Sequence, residues 1–253
     1  MSTRTTLYDL QISEGDGESK GLGLWSAAVL LADHMRLNAG LLAHAAVVLE
    51  IGAGCGLVGL VAARSEYADP SIQVFLTDND AATLDNLRVN ARANVRLGAT
   101  VVVAPLDFDH PHASSDLIPK ADVILAADVL YSGMRQSDDA APDLLTGDWD
   151  HYENNANVAR TLAYYLKPSG KALIATQPTR GDDTAEFITH AERLGLAVRI
   201  DSPAADSIER VLATPLRYGD SEVEVGALRI LTVVWADTLQ VQLATDCTEG
   251  PAM

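Results

Sequence analysis

Hydrophobic positions along the chain alternate between short continuous runs and segments with helical spacing. The short runs predict seven buried strands, at Val47–Ile51, Ile72–Thr77, Thr100–Ala104, Val123–Ala127, Lys171–Thr176, Leu196–Ile200 and Leu228–Trp235. The helical spacing predicts helices at Trp25–Met35, Leu57–Arg64, Ala81–Arg96, Glu153–Leu166 and Thr184–Leu194. Because strands and helices alternate, we expect one α/β domain with a mostly parallel sheet covered on both faces.

Polar and turn-forming residues mark the ends of these elements. Ser26 and Asp80 are placed to cap the helices that follow them. The run Lys167–Gly170 predicts a turn, because its proline cannot continue a helix. Val89 belongs to the apolar face of the third helix and is predicted to point into the core. The polar segment Asp201–Val225 predicts a hairpin arm beside the last strand.

The two ends of the chain differ in composition from its middle. Residues 1–20 are rich in Ser, Thr, Gly and acids, which predicts a flexible N-terminal arm with a short strand at Leu7–Ile12. No stretch between the predicted elements resembles an interdomain linker. We therefore expect a single domain over residues 21–240 and a flexible C-terminal tail over residues 241–253.

Composition and charge narrow the range of partners. The chain has 253 residues, of which 48% are hydrophobic, and this excludes a wholly disordered protein. Its 18 Lys and Arg against 35 Asp and Glu give a formal charge of −17. We expect no nucleic-acid partner, because phosphate contacts require cations, and we expect a basic protein or peptide instead.

The two cysteines, Cys55 and Cys247, cannot form a disulfide framework or a cysteine-based zinc site alone. The scattered histidines do not suggest a metal, and we expect none. The polar N terminus does not resemble a signal peptide, and the longest apolar stretch contains charge and glycines, so we expect no membrane association. These features predict a cytoplasmic monomer, with the nucleus as an alternative location.

The segment Val48–Gly59 (VLEIGAGCGLVG) carries the strongest chemical signal. A hydrophobic strand ends near the acid Glu50, glycines at positions 52, 54 and 56 form a tight turn, and an apolar helix begins near Leu57. Glycine suits this turn because the backbone must bend sharply and let a ligand approach with no Cβ in the way. Ligands bind at the carboxyl ends of parallel strands, so the turn predicts a binding site.

Two ligands compete for this site. Gly54, Gly56 and Gly59 fit the dinucleotide fingerprint GxGxxG, with Asp78 where its ribose-binding acid belongs. The pattern ExGxGxG from Glu50 to Gly56 fits the loop that binds S-adenosylmethionine, and it also accounts for Glu50 and the first glycine. This wider match favours the methyl donor. A turn that only packs helix against strand is the third alternative.

Asp78 and the pair Asp107-Phe108 are candidate nucleoside contacts. Asp78 fits a carboxylate that accepts hydrogen bonds from both ribose hydroxyls, or alternatively a helix N-cap. Asp80 is the better cap, which favours Asp78 as a ligand. Asp107 fits an acceptor for the exocyclic amine of adenine, and the ring of Phe108 fits a stacking or packing contact with the base.

With these residues, the chain resembles the seven-strand class I methyltransferases. More narrowly, it resembles family 16, which contains protein lysine methyltransferases that act on elongation factors, chaperones and similar targets. The resemblance covers about residues 22–200 and rests on Gly23–Ala28, Glu50–Gly59, Thr77-Asp78, Leu106–Phe108 and the Asp-x-x-Tyr signature in Ala126–Ser132. It implies a Rossmann-like sheet of seven strands whose last strand is antiparallel.

The resemblance also implies roles for single residues. It places Asp128 and Tyr131 at the acceptor, as the catalytic pair. Other residues are expected to bind the cofactor S-adenosylmethionine, and several of them come from the glycine motif and the loop after the third strand. They are Trp25, Glu50, Gly52, Ala53, Gly54, Gly56, Asp78, Asp107, Phe108 and Ala127. Core packing is the alternative for Trp25. The family often has Trp at the position of Phe108, which weakens the expected stacking on adenine.

The acceptor chemistry explains why an acid and a tyrosine are useful here. A free lysine with a pKa near 10.4 is deprotonated only about one part in a thousand at pH 7.4. Asp128 can accept a hydrogen bond from the amine and orient it, and Tyr131 offers a ring face for the cation. Alternatively, Asp128 is satisfied by backbone amides and Tyr131 packs under the following loop.

Other functions stay open from the sequence. The acceptor could be another nitrogen: a protein N terminus, arginine, histidine or a small amine. A non-catalytic interaction module that keeps the fold, and an NAD-dependent oxidoreductase, are the alternatives from other classes. The acidic loop Asp138–Glu153 contains no Lys or Arg, which suggests either steering of a basic substrate or a solvated loop.

Overall fold

The computed structural model describes residues 3–15, 19–66, 68–94, 99–131, 133–134, 151–152, 154–177, 183–214 and 227–237. The strands are β1 (Thr3–Leu7), β2 (Leu10–Glu14), β3 (Val47–Ile51), β4 (Gln73–Asp78), β5 (Thr100–Pro105), β6 (Ala121–Ala127), β7 (Gly133–Met134), β8 (His151–Tyr152), β9 (Leu166–Thr176), β10 (Leu196–Asp201) and β11 (Arg229–Trp235). The α-helices are α1 (Ser26–Leu37), α2 (Leu57–Arg64), α3 (Ala81–Asn94), α4 (Asn154–Tyr165), α5 (Asp183–Arg193) and α6 (Ala205–Ala213). No helix in these ranges is both long and apolar enough to cross a membrane.

Seven strands form one sheet in the order β5-β4-β3-β6-β9-β11-β10. The pairs from β5 to β9 are parallel, whereas β11 runs antiparallel to both β9 and β10. The predicted sheet and its antiparallel last strand are therefore confirmed. The chain order reverses between β3 and β6, and this reversal opens a crevice at the carboxyl ends of these strands.

Both faces of the sheet are covered by helices. Along β3, Val48 packs in the cluster that contains α1, α2 and α3, while Leu49 and Ile51 pack in the cluster that contains α4 and α5. Successive side chains of a strand point to opposite faces, so a continuous apolar run fills two cores at once. This explains why the strands lack an alternating polar pattern.

The N-terminal segment differs from the expected flexible arm. Strands β1 and β2 form an antiparallel hairpin, whose turn residues Tyr8 and Asp9 have φ values of 53° and 61°. Leu10 and Ile12 are only 1% and 0% exposed, because they pack against the core beside α2 and α3. The flexible-arm prediction is therefore wrong for residues 3–14.

Two asparagines of α3 dock this hairpin. The Asn94 side chain accepts from the backbone N–H of Gln11 and donates to its carbonyl, both at 2.8 Å. Asn90 does the same with Ser13, at 2.8 and 3.0 Å. Residues four apart on a helix rise about 6.0 Å, and residues two apart on a strand about 6.8 Å, so the two spacings match. The asparagines thus replace a neighbouring strand along the edge of β2.

Helix α6 replaces the hairpin arm predicted for Asp201–Val225. It packs on α1, where Ser207 Oγ donates to Asp33 Oδ2 at 2.7 Å and Arg210 Nε lies 2.7 Å from Asp33 Oδ1. Asp33 is only 3% exposed, so these partners offset the cost of burying its carboxylate. The hairpin prediction is therefore wrong for residues 205–213, and residues 215–226 lie outside the described ranges.

The predicted element ends are partly wrong. The turn over Lys167–Gly170 is absent, because β9 begins directly after α4 and absorbs the extra residues by a register shift against β6. Ser26 is the first residue of α1, and Trp25 occupies the N-cap position. Val89 is 49% exposed and does not face the core. Asp80 does cap α3, since Thr83 N donates to its carboxylate at 2.8 Å.

Candidate functional site

A cavity of about 410 Å³ lies at the carboxyl ends of β3, β4, β6 and β9. Its size falls in the range of small-molecule sites. It is lined by Ser19, Lys20, Gly21, Trp25, Gly52, Gly54, Asp78, Asn79, Asp80, Leu106, Phe108, Ala127, Asp128, Val129, Leu130, Tyr131, Gln177 and Asp183. The sequence-predicted residues Trp25, Gly52, Gly54, Asp78, Phe108, Ala127, Asp128 and Tyr131 therefore come together at one site.

The glycine turn between β3 and α2 forms the floor of the cavity. Gly52, Gly54 and Gly56 have φ values of 58°, 52° and 79°, a region that side chains with a Cβ rarely adopt. A Cβ on Gly52 would lie 2.8 Å from Val129 Cγ1, and one on Gly54 would lie 3.2 Å from the carbonyl oxygen of Gly21. Glycine is therefore needed at these two positions, both for the backbone conformation and for the close approach of Val129 and Gly21.

Three of the predicted cofactor residues shape the turn and do not line the cavity. Gly56 is the N-cap of α2, and Ala53 N donates to Thr77 O at 2.8 Å. Glu50 is 2% exposed and accepts a hydrogen bond from Gly59 N at 2.8 Å. Burial raises the pKa of Glu50 to about 8. The structure therefore places Glu50 behind the turn, where it holds the start of α2.

Asp78, at the end of β4, faces the cavity and organises its rim. Its Oδ2 accepts from Gly54 N at 3.1 Å, and its Oδ1 accepts from the N–H groups of Asn79 and Asp80 at 2.9 and 3.2 Å. Burial raises the pKa of Asp78, and these three hydrogen bonds oppose that effect. Because Asp80 caps α3, Asp78 is not needed as the cap. Its carboxylate instead holds the glycine turn and faces the cavity.

The pair after β5 is divided between two roles. Phe108 lines the cavity together with Leu106, and its ring reaches the glycine turn near Gly52. Asp107 does not line the cavity, and its Oδ1 accepts from Asp109 N at 3.0 Å in the same loop. The prediction that Asp107 contacts a ligand has no support in this arrangement.

A short segment before α1 forms one wall of the cavity. Trp25 is half-buried, and its indole Nε1 donates to the carbonyl oxygen of Lys20 at 3.0 Å. Ser19 lies 3.2 Å from the Thr83 hydroxyl, and Gly21 packs against the glycine turn. Trp25 was predicted, but sequence reasoning missed Ser19, Lys20 and Gly21, because residues 1–20 were predicted to be a flexible arm. The run of Ser, Lys and Gly before the tryptophan offered no distinct signal.

The end of β6 forms the opposite wall. Asp128 N donates to Ala175 O at 2.9 Å, and Asp128 has a φ of 57°, an unusual value for a residue with a side chain. Tyr131 is 44% exposed. Its pKa is raised first by partial burial, and then by the negative charges of Asp78 and Asp128. The Tyr131 hydroxyl is thus electrostatically coupled to carboxylates on both sides of the cavity.

Two further lining residues follow β9, and sequence reasoning missed both. Gln177 comes directly after the strand, and its Oε1 accepts from the Ser26 hydroxyl at 2.7 Å. Asp183 is the first residue of α5 and is only 6% exposed. Both come after the carboxyl end of β9, and ligands bind at this end of parallel strands, so their position was the one available signal.

The acidic loop Asp138–Glu153 lies outside the described residues except for His151 and Tyr152, which form β8. Its predicted steering role stays a prediction. Within the described ranges no group of three or more His, Cys, Asp or Glu is placed to hold a metal ion. Cys55 is a buried thiol that donates to Gly21 O at 3.8 Å, and Cys247 lies outside these ranges.

The cavity fits the predicted methyl donor. A nucleoside with an amino-acid tail needs a floor without Cβ atoms, a carboxylate for its ribose and an apolar wall for its base. Gly52 and Gly54 supply the floor, Asp78 the carboxylate, and Leu106 with Phe108 the apolar wall. The seven-stranded sheet with an antiparallel last strand and this cavity define the class of S-adenosylmethionine-dependent methyltransferases.

Comparison with known proteins narrows the class to a family. A family model described as lysine methyltransferase, methyltransferase family 16, matches residues 5–145, which is more than half of the chain. The chain therefore belongs to the lysine methyltransferase family. The residue motifs that suggested this family include the whole of the glycine turn and the Asp128-x-x-Tyr131 signature, both inside the matched range.

Relatives and a solved structure are consistent with this assignment. The mouse protein-lysine N-methyltransferase EEF2KMT is 29% identical over 187 residues, covering 70% of this chain and 50% of that protein. The mouse protein N-lysine methyltransferase METTL21A is 36% identical over 172 residues, covering 67% and 66%. A crystal structure of a methyltransferase from Pyrococcus furiosus matches with a TM-score of 0.55 at 16% identity, covering 91% and 90%, which shows the fold. The chain thus spans half the length of EEF2KMT.

Proposed function

We propose that this chain transfers a methyl group from S-adenosylmethionine to the side-chain nitrogen of a lysine in a protein substrate. The observation that carries the proposal is a single cavity with two chemically different walls. Gly52, Gly54 and Asp78, which lie at the ends of β3 and β4, form what we call the donor wall, and Asp128 and Tyr131, which follow β6, form the acceptor wall. Membership of the lysine methyltransferase family, and the relatives named for lysine methylation, support the choice of acceptor.

The donor wall binds and orients the cofactor. When bound, S-adenosylmethionine supplies a methyl group activated by its sulfonium. In this chain Asp78 would accept hydrogen bonds from the ribose, Phe108 would pack on the base, and the glycine turn would contact the amino-acid tail. Phe108 has no side-chain donor, so this chain binds the base by packing where the family often has Trp.

The acceptor wall prepares the amine. Asp128 would accept a hydrogen bond from the lysine nitrogen and align its lone pair, since a neutral amine is the required nucleophile. Tyr131 would offer its ring face to the aliphatic ammonium and its hydroxyl as a hydrogen-bond partner. Positioning and exclusion of water would supply most of the rate enhancement.

The partner is proposed to be basic, because the chain carries a formal charge of −17. The same charge is the reason to propose no nucleic-acid substrate. A monomer in the cytoplasm, or in the nucleus, stays a prediction from the sequence. Family membership disfavours the NAD-dependent oxidoreductase, whereas methylation of another nitrogen is decided by the experiment below.

The test is methylation of a cell lysate with radiolabelled donor. Wild-type enzyme is compared with Asp128→Ala and with Asp116→Ala, a matched control whose exposed aspartate lies outside the cavity. We expect a labelled protein band with wild type and Asp116→Ala, and at least a 100-fold weaker band with Asp128→Ala. Mass spectrometry of the band should find methyllysine. A labelled arginine, histidine or N terminus would overturn the lysine assignment, and equal labelling by Asp128→Ala would overturn its role.

A further inference from the structure

Asp183 is a carboxylate for which the described part of the chain provides no partner. It is 6% exposed, and that small exposed part belongs to the cavity that Asp128 and Tyr131 also line. Within the described ranges, neither an N–H or O–H group nor a cation lies within bonding distance of its side chain. A buried carboxylate without a partner is costly. Its position therefore suggests that a ligand supplies the missing cation.

Other buried polar atoms at the starts of α4 and α5 also lack partners among the described residues. Asn154 donates its amide to Val129 O, and Asn155 donates its amide to Glu186 Oε2, both at 2.7 Å. The Oδ1 atoms of these two asparagines are buried and without a hydrogen-bond partner among the described residues, as is the Thr184 hydroxyl. None of these three residues lines the cavity, whereas Asp183 does.

The topology brings Asp183 to the acceptor wall. Asp128 is hydrogen-bonded to Ala175 of β9, and β9 leads through Gln177 toward the start of α5. The donor wall, formed by Gly52, Gly54 and Asp78, belongs to β3 and β4, on the other side of β6 in the sheet. This order associates Asp183 with the side of the sheet that carries Asp128 and not with β4, which carries Asp78.

From this arrangement we infer that Asp183 is a second carboxylate of the acceptor site, which binds the ammonium group of the substrate side chain. This inference rests on the proposed function and makes it more specific. The site would bind an aliphatic cation between Asp128, which follows β6, and Asp183, which begins α5. The alternative is a structural role, because an acid in the first turn also stabilises a helix. The experiment must therefore separate substrate binding from stability of α5.

The test uses n-butylammonium, which reproduces the end of a lysine side chain, and the neutral n-butanol as its counterpart. Both are titrated by NMR into the full chain saturated with S-adenosylhomocysteine. We expect wild type to bind n-butylammonium more tightly than n-butanol. Asp183→Asn should weaken n-butylammonium at least 5-fold and leave n-butanol within 2-fold. The control Glu192→Gln, on the exposed side of the same helix, should match wild type.

Binding of S-adenosylhomocysteine reports whether each variant is folded, and Asp183→Glu is a second variant that keeps the charge. We expect Asp183→Glu to retain a preference for n-butylammonium over n-butanol. Equal binding of n-butylammonium by wild type and Asp183→Asn would overturn the inference. Loss of S-adenosylhomocysteine binding in both variants would overturn it as well, since Asp183 would then be structural. Neither result depends on the lysate experiment, which tests the proposed function separately.

Discussion

The buried Glu50 offers a test of how the glycine turn is built. Its carboxyl group lies behind the turn, 2% exposed, and holds Gly59 N at 2.8 Å. Burial raises its pKa from 4.5 to about 8, with the negative charge of Asp78 adding to this effect and hydrogen bonds opposing it. We predict that Glu50→Gln, which keeps an acceptor oxygen for Gly59, makes the protein more stable than wild type at alkaline pH.

The sign and size follow from proton linkage. An acid whose pKa is higher in the folded state binds protons on folding, so wild-type stability declines as pH rises from about 4.5 to about 8. The difference between these two pKa values corresponds to about 5 kcal/mol. Relaxation of the protein around the charge lowers this figure. We expect the variant to gain about 2–5 kcal/mol relative to wild type between pH 5 and pH 9.

Urea unfolding of wild type and Glu50→Gln at pH 5, 7 and 9 measures this difference, because groups that do not interact with Glu50 titrate alike in the two proteins. Glu192→Gln, which makes the same substitution at an exposed position, is the matched control. Donor affinity of Glu50→Gln should stay within 3-fold of wild type, since Glu50 does not line the cavity. A constant difference in unfolding free energy across this pH range would refute the buried, proton-linked role. A 10-fold loss of donor affinity would show that Glu50 contacts the cofactor.

Three further variants test other parts of the structure. Asp78→Ala should weaken S-adenosylmethionine binding at least 10-fold in calorimetry, because it removes both the ribose contact and the hydrogen bond to Gly54. Unchanged affinity would mean that the ribose lies elsewhere. Gly59→Ala should lower the free energy of unfolding by about 1–3 kcal/mol, because the Cβ of the new alanine would lie 2.3 Å from Leu76 Cδ2. An unchanged free energy in urea unfolding would contradict this packing. Asn94→Ala should lower the free energy of unfolding by about 1–3 kcal/mol and increase amide exchange in β2, because Gln11 N–H loses its acceptor. Protection from exchange equal to wild type would show that the asparagine does not dock the hairpin.

Local patterns were sufficient for the sheet and for half of the site. Each parallel strand is a short apolar run because it is buried on both faces, and a sequence displays such runs directly. The glycine turn was recognisable because its φ values require residues without a Cβ. Asp78 and Phe108 were found because ligands bind where parallel strands end, and each follows a predicted strand. Asp128 and Tyr131 were found through the Asp-x-x-Tyr signature of the family resemblance.

Roles that depend on contacts between distant segments could not be predicted. Glu50 and Asp78 are both acids near the ends of neighbouring strands, yet only Asp78 faces the cavity. The two side chains point in different directions from their strands. Which of these directions leads into the cavity depends on where α2, α3 and the segment before α1 pack. The hairpin at residues 3–14 was missed for a similar reason. The backbone N–H groups of its residues Gln11 and Ser13 donate to asparagine side chains of α3, about 80 residues away in sequence.

By itself, the sequence determined the alternation of strands and helices, the glycine turn, the acidic character of the chain and the family resemblance, because each of these is a property of neighbouring residues. Only the tertiary structure decided which carboxylates share one cavity. It brought Asp183 into the cavity that Asp128 also lines, and it buried Glu50 outside that cavity. The physical reason is that burial, hydrogen-bond partners and pKa belong to the packed arrangement of segments, and the same acid is a ligand, a cap or a buried support according to what surrounds it.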